Sequence, residues 1–222
     1  MNPPADPLSR ATLLGLVATL QADAEVERGS LARLLHHELG GVLTAARLAL
    51  SALHGTANEA EAPALAAALA AIEAQILEAL EVKRRLVERL HPGLLDHFGV
   101  GVALEALYQA ACRGAGIALE VKAAATTPPV EGAIALYRLG EAVLEDLLAR
   151  APRRVSLSVE VVGAQCRLRV VHDAPPPGFA ATPSYTALRL RLRRLHGGLS
   201  VRHTRDGFEQ VTARLPLPAP AA

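Results

Sequence analysis

Two adjacent histidines and a glutamate, His36, His37 and Glu38, are the side chains in this sequence whose types and spacing best suit chemistry. A neutral imidazole is a good nucleophile near neutral pH, because its unperturbed pKa lies close to that range. A nearby carboxylate could orient the ring or take up its proton. Spacing alone leaves two interpretations open, a nucleophilic histidine with its carboxylate or ordinary polar residues on a helix surface.

The element that must position these side chains is an amphipathic helix. Apolar residues recur along it at alternating spacings of four and three, a heptad-like seam: Leu35, Leu39, Val42, Ala46, Ala49 and Leu53. Because His36 follows the first of them, we expect its ring to flank the apolar core and face solvent. We predict a break or kink at Gly29 and Ser30, where Ser30 could cap the helix, and an end near Gly55.

A second long helix is predicted from Pro63, which a first helical turn tolerates, to the region of Pro92. Its apolar positions are Leu65, Leu69, Ile72, Ile76, Leu80, Val87 and Leu90. The polar residues 56–61 predict a turn between the two helices, which makes an antiparallel hairpin. A lone hairpin cannot bury so wide an apolar seam, so the sequence predicts a homodimer with a four-helix bundle.

Beyond Pro92 the pattern changes to a mixture of helices and strands. Helices are predicted over 102–113 and 134–150, and strands over 117–122, 155–162, 166–171, 199–202 and 210–215. The arginine–leucine alternation of 185–196 fits a helix or a strand, and the tail 216–222 is predicted to be disordered. These elements predict an α+β fold with helices on one face of a mixed sheet.

Composition, charge and cysteine spacing exclude some classes of function. Ala and Leu account for 44 and 38 of the 222 residues, which favours helices. The 23 basic residues balance the 22 acidic ones, so we expect no nucleic-acid partner. Cys112 and Cys166 lack the spacing of a metal or redox pair. With no leader pattern and no long apolar run, we expect a cytoplasmic protein with no membrane partner.

The segment 34–45, LLHHELGGVLTA, resembles the phosphoacceptor box of sensor histidine kinases of the nitrate-sensor and degradative-enzyme-sensor type. The segment 89–100, RLHPGLLDHFGV, resembles the linker of the same family. Residues 115–117 and 136–139 resemble the start of its ATPase domain, and 195–201 and 213–216 resemble its end. These matches follow one another in order over 28–217, which makes them more specific than any single box.

The resemblance implies a phosphoacceptor hairpin that dimerises, followed by an ATPase domain of the gyrase, chaperone and histidine kinase type. It implies His36 as the phosphoacceptor and a response-regulator receiver domain as the partner. We predict an N-terminal helical extension over 1–28, the hairpin over 29–97, a degenerate ATPase domain over 98–217 and a disordered tail over 218–222.

The sequence departs from the family beside the phosphoacceptor. Where the family has an acidic residue directly after that histidine, this chain has His37. Where the family has the glutamine that positions water for dephosphorylation, this chain has Gly41. The loss of that amide argues against phosphatase activity toward a regulator.

The nucleotide region departs further. The family's glutamate and magnesium-binding asparagine align with Ala142 and Asp146, and its adenine-binding aspartate with Asp173. Three prolines precede Gly178 and remove backbone N–H donors from the loop, and no glycine lies between Phe179 and Gly197 to form a phosphate-binding lid. Asp146, Asp173 and Gly178 are what remains of a cofactor site. We expect no cofactor, with ATP and magnesium as the alternative.

Four arginines cluster in the region that replaces the lid: Arg189, Arg191, Arg193 and Arg194. They could hold a phosphate or form the solvated face of a helix. The leading hypothesis is a histidine phosphotransferase that relays phosphate through His36 to or from receiver domains, with an upstream histidine kinase as a further partner. The alternatives are a non-catalytic scaffold that regulates a receiver or kinase, and an active histidine kinase with an atypical nucleotide pocket.

Overall fold

A computed structural model describes residues 10–56, 63–124 and 128–217 of the chain. The chain divides into two compact units, one of residues 21–92 and one that joins the described residues of 1–20 to those of 93–222. The residues predicted to form the turn between the two long helices, except Thr56, and the tail from residue 218 lie outside the described residues.

The first unit is helical. Helix α1, Arg10–Leu34, belongs to this unit from residue 21 on. It leads into a π-helical turn, Leu35–Leu39, and then into α2, Gly40–Thr56. The predicted break at Gly29 and Ser30 is wrong, because α1 continues through both residues and the helix changes its geometry only at Leu35. Helix α3, Pro63–Leu90, begins and ends where the sequence predicts.

Helices α2 and α3 pack against each other as an antiparallel pair. Gly40, at the start of α2, lies against Lys83, near the end of α3, which fixes the antiparallel direction. On α3 the residues turned inward recur with heptad spacing: Ala66, Leu69, Glu73, Ile76, Leu80, Lys83, Val87 and Leu90. The seam of α2 is only partly covered, since Val42 and Leu53 remain 66% and 56% exposed.

The second unit is an α/β sandwich. Its elements are α4 (Gly93–Ala115), β1 (Ala118–Ala123), α5 (Val130–Arg150), β2 (Arg154–Val162), β3 (Gln165–His172), α6 (Pro183–Arg194), β4 (Gly198–His203) and β5 (Glu209–Pro216), with a short 3₁₀ turn at Phe179–Ala181 before α6. The strand order is β1-β2-β3-β5-β4, with β1 and β2 parallel and the other neighbours antiparallel. The predicted α+β class with a mixed sheet is confirmed.

Alternation along the strands sets which sheet face is buried. Leu157 and Val159 of β2 and Leu168 and Val170 of β3 point into one core with the helices. Tyr108 of α4 is fully buried in that core, and its hydroxyl donates a hydrogen bond of 2.9 Å to the carbonyl oxygen of Gly140 in α5. The opposite face of the sheet carries polar side chains.

Two segments have a structure that their sequence pattern alone does not determine. Segment 185–196, which fits helix or strand by sequence, is mostly helical, since Leu188 and Leu192 of α6 are buried one turn apart. Helix α4 is interrupted at Gly99, whose φ of 81° and ψ of 173° lie where residues with a side chain are disfavoured. The glycine of the linker segment therefore serves to break α4.

Candidate functional site

The two histidines lie in the π-helical turn between α1 and α2. The backbone N–H of Gly40 donates to the carbonyl oxygen of Leu35, five residues back, and also to that of His37. Such turns place one extra residue in a helix and are found frequently at functional sites. The turn therefore widens the helix at the position of His36 and His37.

His36, His37 and Glu38 are all exposed. The two imidazole rings are perpendicular, with their centroids 5.3 Å apart and an interplanar angle of 85°. His36 thus presents its ring to solvent, as the sequence predicts, and a macromolecular partner can reach it.

Lys83 of helix α3 contacts Gly40, the residue that directly follows this turn. A side-chain carbon placed on Gly40 would lie 2.8 Å from Nζ of Lys83 and 3.8 Å from its Cδ and Cε atoms. Gly40 is buried by this contact, whereas Gly41 is exposed with open space around it. Sequence analysis did not single out Lys83, because only the packing of the two helices brings it to the histidine turn.

The second group of predicted site residues belongs to the α/β unit, at the ends of α5 and β3. Asp173 follows β3 directly, and its Oδ1 accepts hydrogen bonds from the backbone N–H groups of Arg153 and Arg154, at 2.8 and 3.0 Å. This carboxylate therefore anchors the start of β2.

Those bonds also shift the titration of Asp173. Burial acts to raise its pKa, but the hydrogen bonds from the Arg154 and Arg153 amides, with the Arg154 charge, outweigh burial and hold the pKa below its ordinary value. The folded protein therefore stabilises the ionised form of Asp173.

Asp146 lies on α5 one turn before Arg150, and the two side chains form an ion pair. The Arg150 guanidinium also donates 2.9 Å to the carbonyl oxygen of Pro175 and lies 3.7 Å from Glu209 Oε1. Arg150 is only 10% exposed, so these interactions form away from bulk water. Arg150 thus ties the proline loop to both α5 and β5.

Glu209 is the centre of this buried group and was missed by sequence analysis. It is 2% exposed, and its Oε1 accepts a hydrogen bond of 2.7 Å from the backbone N–H of Phe179. The Nε2 atom of the fully buried His172 lies 3.6 Å from the same oxygen, and Nε2 of His203 lies 3.3 Å from Oε2. Glu209 therefore has three cationic or potentially cationic neighbours.

Strand register is the signal that could have identified Glu209 and His172. Glu209 alternates with the inward residues Val211, Ala213 and Leu215 of β5, and His172 ends the inward series of β3. The two residues are direct cross-strand partners. A polar residue in inward register is costly without a polar neighbour, and here His172 Nε2 lies 3.6 Å from Glu209 Oε1.

Burial acts to raise the pKa of Glu209, but the nearby His172, the Phe179 amide and the Arg150 charge outweigh burial and leave the pKa below its ordinary value. The buried carboxylate is thus held as an anion that neutralises Arg150.

Gly178 packs directly against this carboxylate. A side-chain carbon on Gly178 would collide with Oε2 of Glu209. The residues predicted to belong to a cofactor site, Asp146, Asp173 and Gly178, therefore contact internal partners: Arg150, the β2 backbone and Glu209 respectively.

The arginine cluster lies on α6. Arg189, Arg193 and Arg194 are exposed, while the buried Leu188 and Leu192 fasten the helix to the core. Arg194 contributes to a cavity of about 440 Å³ lined mainly by apolar residues of the α5 start and the β5 end. This placement matches a solvated helix face.

In chain order, a helical pair with an exposed histidine comes before an α/β sandwich with a five-stranded mixed sheet. Residues 27–95 match the sequence model of the family described as Histidine kinase. This segment, less than half of the chain, is therefore similar to the histidine kinase family, whose proteins act in two-component signalling. No curated protein matches the chain by sequence.

One solved structure supports the same fold. The histidine kinase domain from the Erythrobacter litoralis EL346 blue-light activated histidine kinase is similar over 80% of this chain and 94% of its own, with a TM-score of 0.50 and 22% identity. Histidine kinase AdeS of Acinetobacter baumannii is similar over 65% of this chain and 83% of its own, with a TM-score of 0.42 and 14% identity. In the described part of the chain, no helix has the length and hydropathy that a membrane span requires.

Proposed function

We propose that this chain is a histidine phosphotransferase, in which His36 accepts a phosphoryl group from one receiver domain or an upstream kinase and passes it to another receiver. The observation that carries the proposal is the exposed His36 on a π-helical turn, inside the segment that matches the histidine kinase family. A receiver partner needs an accessible imidazole, which this turn supplies.

The reaction requires only groups present in the two partners. The lone pair of the neutral imidazole forms a nitrogen–phosphorus bond, while the phosphorus–oxygen bond to the receiver aspartate breaks and its electron pair stays on the carboxylate. The ring then gives its remaining N–H proton to solvent or to a base such as Glu38. The reverse steps deliver the phosphoryl group to the next receiver.

We infer that the α/β unit does not serve as a competent kinase domain for His36. Phosphoryl transfer from ATP depends on positioned metal ligands and phosphate-binding amides. Asp146 is paired with Arg150, the Asp173 oxygen Oδ1 holds two backbone amides, and Gly178 abuts Glu209. The residues that the resemblance assigns to ATP and magnesium therefore do not fit that cofactor, and no step of the proposal uses it.

A homodimer belongs to the proposal. Helices α2 and α3 leave apolar side chains at the surface of the single chain, among them Val42, Leu53, Leu65 and Ile72 at 44% to 66% exposure. A second copy would cover these side chains in a four-helix bundle. The upstream donor and the receiving regulator are further partners in the proposal.

The internal contacts of the residues that the resemblance assigns to ATP and magnesium also favour a second candidate function. This is a scaffold that binds a receiver or kinase and catalyses no phosphoryl transfer. The scaffold requires the hairpin surface but not the His36 ring.

Transfer from a phosphorylated receiver tests the proposal. Receiver domains labelled with acetyl phosphate would be incubated with the full chain, with His36→Ala and with His37→Ala as the matched control. We expect label on the wild type and on His37→Ala, and none on His36→Ala. Binding without label transfer to any variant would support the scaffold, and label lost only in His37→Ala would assign the reaction to the other ring.

A further inference from the structure

Lys83 of α3 lies directly over the backbone of Gly40. The terminal atoms of its side chain, Cδ, Cε and Nζ, all lie within 3.8 Å of the position that a side-chain carbon on Gly40 would occupy. A glycine at position 40 therefore leaves the space in which the ammonium group sits. Gly41, beside it, has no atom within 4 Å of the equivalent position, so the close contact is specific to Gly40.

Among the described residues, no carboxylate pairs with the ammonium of Lys83. Lys83 is half-buried, and among the described residues no hydrogen bond or ion pair joins it to another residue. The neighbouring Arg84 does have such a partner, Glu81, at 3.0 Å. A partly buried cation without a counterion favours binding of an anion, because burial in a helix interface weakens its screening by water.

The phosphoacceptor lies one helical turn away. His36 precedes Gly40 by four residues within the π-helical turn, whose hydrogen bonds span five residues. Residues four apart in such a turn share one side of the helix, about 6 Å apart. Lys83 therefore places its charge on the side of the turn that carries His36.

We propose that Lys83 binds the phosphoryl group at His36, with its ammonium donating to phosphoryl oxygens during transfer. The proposal rests on the proposed function of His36. An ammonium is a compact charge with three donors on a flexible stem, which suits a phosphoryl group that moves between two proteins.

Phosphoramidate tests this role without an unidentified partner. It transfers its phosphoryl group to imidazole with loss of ammonia, so the phosphorus–nitrogen bond to ammonia breaks as the bond to His36 forms. The initial rate of phosphohistidine formation in the full chain would be followed by ³¹P NMR, with the modified position identified by mass spectrometry. Charge-assisted hydrogen bonds contribute enough for Lys83→Met to slow the reaction about tenfold, and Lys83→Arg should restore most of the rate.

Two matched controls separate this role from general effects. Arg85→Ala removes one positive charge from an exposed position of the same helix, and we expect it to leave the rate unchanged. Gly40→Ala should slow the reaction by displacing the ammonium, whereas Gly41→Ala should not. Far-UV circular dichroism checks that each variant keeps its helices.

The outcomes are distinguishable. Equal rates for Lys83→Met and Arg85→Ala, with His36 still phosphorylated, would contradict the role of Lys83 and leave the proposed function intact. A wild-type chain that gains no phosphate at His36 would contradict both.

Discussion

At the scale of single residues, two clusters of polar side chains have opposite surroundings. His36, His37 and Glu38 lie in water, whereas Arg150, His172 and Glu209 are buried or nearly so. Exposed groups are available to a partner, whereas the buried ones form charge contacts with one another. We therefore place the chemistry at the first group and a structural role at the second.

Removal of Arg150 tests the structural role. Arg150→Ala would remove a neighbouring positive charge from the buried Glu209 carboxylate, leave Asp146 without its ion-pair partner and release the carbonyl of Pro175. Breaking a buried pair from one side costs about 3 kcal/mol or more, so the free energy of unfolding should fall by that amount. Urea denaturation measures it, with Arg205→Ala in an exposed turn as the control. A change of less than about 0.5 kcal/mol, the range of ordinary surface substitutions, would contradict the account.

Asp173 should make stability depend on pH. Its pKa is lower in the folded protein than in the unfolded chain, so its contribution is complete above the unfolded value and disappears as pH falls through the folded one. We expect Asp173→Asn to flatten the loss of stability below about pH 4, the ordinary range of this carboxyl. Denaturation at a series of pH values measures this, with Asp206→Asn as the exposed control. Parallel pH profiles for wild type and Asp173→Asn would argue against the anchoring role.

At the scale of elements, most helices and strands follow from periodicity, and the exceptions have local causes. The β2–β3 and β4–β5 pairs were predictable from alternation and glycine-containing turns. The continuity of α1 could not be predicted in this way, because the glycine and serine at positions 29 and 30 are weak helix breakers that a long helix tolerates.

The π-helical turn and the buried group could not be predicted in the same way. The turn at Leu35–Leu39 coincides with the histidine pair, but no propensity distinguishes it from an α-helical turn. Arg150 and Glu209 are distant in sequence, and only the packing of α5 on the sheet brings them together. The candidate phosphoacceptor could thus be identified from the sequence, whereas Lys83 and the buried residues around Glu209 could be identified only from the tertiary structure.

Helix α4 provides a test at this scale. Gly99 adopts a φ of 81° in the break of α4, where an alanine would be strained. We expect Gly99→Ala to lower the free energy of unfolding by about 1–2 kcal/mol. Thermal denaturation measures this, and Gly93→Ala, at a position with open space, is the control. Equal melting temperatures for Gly99→Ala and Gly93→Ala would show that the break is not strained.

At the scale of the whole molecule, association of two copies would cover the apolar seam. Val42 and Leu53 belong to the seam of α2 and are more than half exposed, whereas Leu48, 61% exposed, lies off the seam on the same helix. We expect the Val42→Glu, Leu53→Glu double variant to become monomeric, because carboxylates in a bundle core are costly. Sedimentation or light scattering measures this, with Leu48→Glu as the control that stays dimeric. A wild-type monomer would contradict the bundle.

The source of the phosphoryl group distinguishes a relay from a kinase. In the α/β unit, the residues that could hold ATP and magnesium are engaged with Arg150, the β2 backbone and Glu209, while His36 stays accessible. The most direct measurement compares label on His36 from γ-labelled ATP with magnesium and from a phosphorylated receiver domain, in the same full chain. We predict rapid label from the receiver and none from ATP. Label at His36 from ATP at a rate equal to or above that from the receiver would contradict it.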